Sequence, residues 1–153
     1  MTLRHRARWF HGRSGKDGAW QNDPAHPGVW LASTRQAACW YAYDSGTVVT
    51  AELRTPSVVD LNDPDTLKTL VRRASLLHLE AQIRRVHARG NLYLLDDGAV
   101  QNRMVEVALR SHAGLILRDR TDGRSHLSLV VRNPEVLRVC SEQRVTRTSG
   151  LPT

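Results

Sequence analysis

The chain has 153 residues, 41% hydrophobic and 24% charged, the balance of one folded domain with its own core rather than of a disordered chain. Its net charge of +7 comes from basic residues that are nearly all arginine and scattered (Arg4, Arg6 and Arg8; Arg72 and Arg73; Arg84 and Arg85; Arg144 and Arg147), which allows an acidic or nucleic-acid partner but excludes a basic tail. No apolar run is long enough to span a bilayer, and the basic start, Met1 to Arg8, has no apolar stretch after it, so neither membrane insertion nor a secretory signal is expected.

In chain order, Arg8 to His11 reads as a short strand, and residues 12–27, rich in Gly, Asp, Asn and Pro, as a loop. Gly28 to Leu31 is a second apolar stretch. Ser33 or Thr34 offers an N-cap for a helix from Arg35 to about Tyr43, stopped by Asp44-Ser45-Gly46. Thr47 to Leu53 alternates β-branched and polar residues as a strand does, and Ser57 to Leu61 is another. Asp63-Pro64 opens a helix with a cap and a proline at its first position. Leu67, Leu70, Val71, Ala74, Leu77, Ala81 and Val86 continue it at helical spacing to a C-cap at Gly90. A further helix spans Ala99 to Ser111, with Val100, Met104, Val107 and Ala108 as its apolar face. Leu115 to Leu117 and Leu127 to Val131 are strands on either side of a turn at Thr121-Asp122-Gly123, and Val136 to Val139 is the last strand. Residues 1–145 read as one domain and 146–153 as a flexible tail. Strands and helices mix without regular alternation, which predicts an α+β fold. Cys39 and Cys140 read as free thiols of a reducing, cytoplasmic compartment, with a single bridge as the alternative.

Several familiar motifs fail. Gly12, Gly15 and Gly18 suggest a phosphate loop, but Ser14 stands where the dinucleotide pattern needs glycine. Phe10 and Asp17 occupy the defining positions of a P-loop. The seven histidines and two cysteines lack zinc spacing, so no metal is expected. No serine lies in a nucleophile elbow.

Four separated segments remain: Phe10-His11-Gly12, Gly28-Val29-Trp30-Leu31-Ala32-Ser33-Thr34, Ala38-Cys39-Trp40-Tyr41-Ala42, and Gly114-Leu115-Ile116-Leu117-Arg118-Asp119. In this order they resemble the His-Tyr-acid branch of the ADP-ribosyltransferase superfamily, over most of residues 9–140. Size and order are similar to those of small phage-encoded anti-CRISPR ADP-ribosyltransferases. The resemblance implies a split, mostly antiparallel β core with flanking helices. It also implies NAD as substrate, with ADP-ribose passed to a macromolecule, a protein before a nucleic acid.

The resemblance gives His11 a ribose hydroxyl of NAD, the Gly12 backbone the nicotinamide amide, Tyr41 a stack on the nicotinamide ring, and Ser33 or Thr34 the nicotinamide ribose. The chemistry stands on its own terms. Cleaving the nicotinamide–ribose bond develops positive charge on the sugar, and a fixed carboxylate in a partly dry cleft stabilises it. Asp119 is the candidate acid, and Asp122 is its rival, though Asp122-Gly123 suits a hairpin turn. Arg13 and Lys16 offer charge-assisted bonds to the pyrophosphate. Tyr43 is the alternative to Tyr41, and the four tryptophans are assigned to the core. The chain departs from many relatives in having Leu117-Arg118-Asp119 where a second acid is common. A basic protein- or nucleic-acid-binding inhibitor without catalysis, or an inactive relative, is the competing expectation.

Overall fold

The structure is a computed structural model that describes residues 8–14, 20, 27–42 and 46–145. Lys16, Tyr43, the Asp44-Ser45 stop and the tail from Thr146 lie outside the described residues. The elements are β1 (Arg8–Arg13), β2 (Val29–Ala32), α1 (Arg35–Ala42), β3 (Thr47–Leu53), β4 (Val58–Asp60), α2 (Pro64–Arg73), α3 (Glu80–Ala88), α4 (Ala99–Ser111), β5 (Gly114–Thr121), β6 (Arg124–Val131) and β7 (Leu137–Arg144). The strands form one seven-stranded sheet in the order β4-β5-β6-β2-β1-β3-β7. Every pairing is antiparallel except that of β4 with β5. This is the α+β architecture expected from the sequence, a mostly antiparallel β core with flanking helices.

One joint in the sheet is weak. β1 pairs with β3 at every position from Arg8 to Arg13, but with β2 only at Phe10↔Ala32. Alternation then separates two faces. On the inner face, Val29, Leu31, Ile116, Leu129 and Val131 from one half share a buried cluster with Trp9, Ala51, Leu53 and Leu137 from the other. The sheet therefore folds over at the β1–β2 joint, and its two halves bury one face against each other. On the outer face, Leu115, Leu117 and Val130 pack under α2, α3 and α4, where Leu67, Leu70, Val71, Ile83, Met104 and Ala108 face them. A fully buried side chain of this size contributes about 1.5–3 kcal/mol. The outer face of β1 and β3 is covered by α1, through Phe10, Ala38, Cys39, Ala42 and Val48. Cys39 and Cys140 are both free thiols.

Three sequence expectations are corrected. The helix opened by Pro64 does not run to Val86. It ends at Arg73, where Ser75 takes a left-handed φ of 61°. Ser75 N–H then bonds Arg72 O at 3.1 Å and Leu76 N–H bonds Val71 O at 2.9 Å, a Schellman end built without glycine. Leu77 and Ala81 are consequently exposed, and α3 restarts with a new buried face at Ile83 and His87. Gly90 stops α3 at φ 73° in the same manner, as its sequence position indicates. Second, β5 continues to Thr121, so Asp119 lies within a strand rather than after one. Asp122 and Gly123 (φ 52° and 75°) form a two-residue hairpin turn, which assigns Asp122 to the turn. Third, Trp40 is not a core residue, because the buried side of α1 is Ala37, Ala38, Cys39 and Ala42.

Beyond Ile116, where β4 stops, the C-terminal turn of α3 takes over the edge of β5. His87 Nε2 accepts the Arg118 N–H at 2.9 Å, and Arg118 Nη1 donates to Ala88 O at 3.2 Å. Burial first, and the Arg118 charge second, lower the His87 pKa to about 4. Its unfolded value is near 6.5, so the unfolded chain binds the extra proton between these limits. Stability is whole above pH 6.5 and declines as pH falls toward 4, by up to about 3 kcal/mol. His87→Gln, whose side-chain oxygen still accepts a hydrogen bond, should show a shallower fall in melting temperature from pH 7 to 4.5. Parallel wild-type and variant curves would refute this. The close approach of α1 gives a second expectation. A Cβ on Gly12 would lie 1.8 Å from Ala38 O. Gly12→Ala should therefore cost about 1–3 kcal/mol or more in denaturant unfolding, and an unchanged midpoint would show that α1 does not rest there.

Candidate functional site

The site is the opening left where β1 and β2 part. Past Phe10, β1 has no ladder partner on its β2 side among the described residues. His11 and Arg13 project from β1 to the inner face, and Gly12, between them, to the outer face under α1. His11 is 3% exposed, and its Nδ1 donates to Trp30 O across the opening at 2.7 Å. A carbonyl only accepts, so the proton is on Nδ1 and Nε2 is the acceptor of the neutral ring. Burial pushes the His11 pKa below the usual value, the Trp30 bond opposes this, and the nearby Arg13 charge adds to it. The Trp20 ring lies 5.3 Å from the imidazole, tilted by 58°.

Arg13 has a side chain only 11% exposed, with Nη2 3.7 Å from Glu142 Oε1. Its Nε is buried without a hydrogen-bond partner among the described residues. A buried cation so loosely paired retains donors for an anion. Neutral imidazole, guanidinium, carboxylate and an indole ring thus lie along one face of β1 and its neighbours, a set suited to a ligand bearing phosphates and sugar hydroxyls.

The other sequence candidates lie elsewhere. Thr34 Oγ1 accepts the Ala37 N–H at 3.2 Å and caps α1. Ser33 extends the β2–β6 ladder, its N–H bonding Leu127 O at 2.8 Å and its Oγ accepting the Leu127 N–H at 2.9 Å. Gly12 is required by α1 packing. Tyr41 is 48% exposed on α1, with its hydroxyl 3.4 Å from Thr121 Oγ1. Thr121 Oγ1 lies 2.8 Å from His126 Nε2, and His126 Nδ1 donates to Leu127 O at 2.9 Å.

Asp119 shares this outer-face cluster. Its Oδ2 accepts from Ser128 Oγ and its Oδ1 from the Arg120 N–H, both at 2.8 Å. The register pairs Asp119 with His126 and Leu117 with Ser128 on the face that carries α2, α3 and α4. The structure thus brings Tyr41 near Asp119 but sets both apart from His11. β6 and β2 intervene between β5 and β1, three strand spacings or about 14 Å, and the side chains point to opposite faces. Glu142, Thr121, His126 and Ser128 are not singled out by the sequence, since only the strand pairing gives them their neighbours.

Among the described residues no group of His, Cys, Asp and Glu is placed to hold a metal ion, and no helix is long and apolar enough to cross a membrane. No family model matches the chain, and no curated protein is similar to it. A solved structure described as the crystal structure of an anti-CRISPR protein superposes with a TM-score of 0.50 at 10% identity, over 90% of this chain and 94% of that one. At this identity the likeness is one of fold.

Proposed function

We propose that the chain is a mono-ADP-ribosyltransferase that binds NAD at the opening between β1 and β2 and passes ADP-ribose to a protein partner. The observation that supports it is the opening itself, with neutral His11 and loosely paired Arg13 on one face of it. His11 Nε2 accepts a ribose hydroxyl, and Arg13 takes the pyrophosphate. Tyr41, to which the sequence resemblance gives the nicotinamide stack, stands on the other face and takes no part in this site. The partner is acidic, matching a net charge of +7.

Incubation with biotinylated NAD and a cell lysate tests the reading, with NAD consumption followed in parallel. NAD left intact and no protein tagged would end it. In calorimetry, His11→Ala should weaken NAD binding about five- to tenfold, the loss of one hydrogen bond. Arg13→Ala should cost more, about 1.5–3 kcal/mol, because its bonds are charge-assisted. Tyr41→Ala should bind NAD as wild type does, and a clear loss of affinity in it would bring the α1 face into the site.

A second reading, an inhibitor that binds its partner without chemistry, is favoured by one observation: Asp119 and Tyr41 stand on the face opposite His11. In that case NAD is untouched while a partner is still captured. In both readings capture through the arginine surface should fall as salt rises from 0.1 M, where the Debye length is about 10 Å, toward 1 M, where it is about 3 Å. Salt-independent capture would mean that the arginines only solubilise the chain.

A further inference from the structure

We propose that Glu142, rather than Asp119, is the carboxylate that acts on the sugar of NAD. The inference rests on the NAD reading above and deepens it. The register carries it. His11 on β1 is paired with Val49 on β3, and Val49 is paired with Glu142 on β7. The three side chains stand in one row on one face, the outer two on Cα atoms two strand spacings or about 10 Å apart. Glu142 Oε1 lies 3.7 Å from Arg13 Nη2. Its carboxylate is thereby paired with Arg13, on the face that His11 and Arg13 share.

Elimination agrees. The acids on the described strands are Glu52, Asp60, Asp119 and Glu142. Glu52 is tied to Arg138 and Arg8, and its register partner Arg8 alternates with Trp9 onto the outer face. Asp60, on the opposite edge strand, accepts two hydrogen bonds from Asn62. Asp119 is turned outward, with both oxygens already accepting hydrogen bonds. Level with His11 and Arg13, the inward positions of β5 and β6 are Gly114, Ile116, Leu129 and Val131, with no acid.

The chemistry follows from this placement. With the pyrophosphate on Arg13, Glu142 exchanges its guanidinium partner for the sugar. The nicotinamide–ribose C–N bond breaks, its electron pair leaves with neutral nicotinamide, and the carboxylate faces the positive charge left on the ribose. The acceptor nucleophile bonds to the anomeric carbon, and its proton passes to Glu142.

The test compares NAD turnover, NAD affinity and melting temperature in wild type, Glu142→Gln, Asp119→Asn and, as a control, the exposed Glu106→Gln. Glu142→Gln should lose on the order of 100-fold or more in turnover. Its melting temperature should hold, and its affinity for NAD should be equal or tighter, since Arg13 no longer has a competing carboxylate. Glu106→Gln should turn over NAD as wild type does. Turnover in Glu142→Gln within threefold of wild type, or a loss carried by Asp119→Asn instead, overturns the assignment and leaves the NAD reading standing. A wild type that neither binds nor consumes NAD removes the NAD reading, and this assignment with it.

Discussion

The geometry of this molecule depends on one weak seam. Phe10↔Ala32 is the sole ladder pair holding β1 to β2 among the described residues, while the neighbouring joints, β1–β3 and β2–β6, are paired along their strands. The seam survives because both sides are anchored elsewhere. α1 lies so close to β1 that Gly12 has no room for a side chain, and Ser33 extends β2 along β6 with a backbone and a side-chain bond. Between these anchors the strands part, and the His11 ring bridges the gap to Trp30 O where a backbone bond would otherwise stand. The opening is thus a consequence of packing on either side of it.

The seam also fixes which residues meet. Because the two halves fold their inner faces together, a side chain's access to the opening is set by whether its position is odd or even along its strand. His11 and Arg13 fall inward and Gly12 outward. On β5 the order is reversed for the acid: Arg118 and Arg120 are inward and Asp119 outward, among Ser128, Thr121 and His126. The α3 turn holds β5 in this register, with His87 and Ala88 binding both the backbone and side chain of Arg118 and Gly90 lying against Asp119 O. A shift of one residue would reverse every side chain on that strand.

The sequence is most legible where local chemistry decides. Pro64 at the first turn of α2, Gly90 after α3, Asp122-Gly123 in the hairpin and the apolar face of α4 all act within a few residues of themselves. The break at Ser75 is less legible, since serine rather than glycine takes the left-handed position and the apolar spacing runs on past it to Leu77. Sidedness is not legible at all for Asp119, because a strand read as ending at Leu117 leaves the acid free to face either way. The same holds for Glu142. Its place on the same face as His11 depends on two successive strand pairings and on an irregularity between Thr50 and Ala51 that resets the alignment of β7. His11, Gly12 and Arg13 are readable as a group because they are consecutive, although the sequence ends their strand at His11 and the structure carries it to Arg13, whereas their partners arrive from distant segments.

Electrostatics bears on the ligand proposed for the opening. Taking a guanidinium out of water costs several kcal/mol unless close, well-aligned acceptors replace the solvent. Glu142 at 3.7 Å is too distant for a good hydrogen bond, and Arg13 Nε has no acceptor among the described residues. His11 gives no negative charge to offset this, since it is neutral and donates from Nδ1. Among the described residues, then, Arg13 is a cation whose desolvation is only partly compensated, beside an imidazole nitrogen that accepts. The proposed dianionic pyrophosphate would supply oxygens to the guanidinium that a single distant carboxylate does not, and its ribose would supply the hydroxyl. An uncharged ligand supplies neither oxygens nor charge to Arg13 and would leave the cation as poorly compensated as before. On the proposed reading, selection for a phosphorylated sugar would rest on two successive inward positions on β1, before any choice of catalytic acid is made.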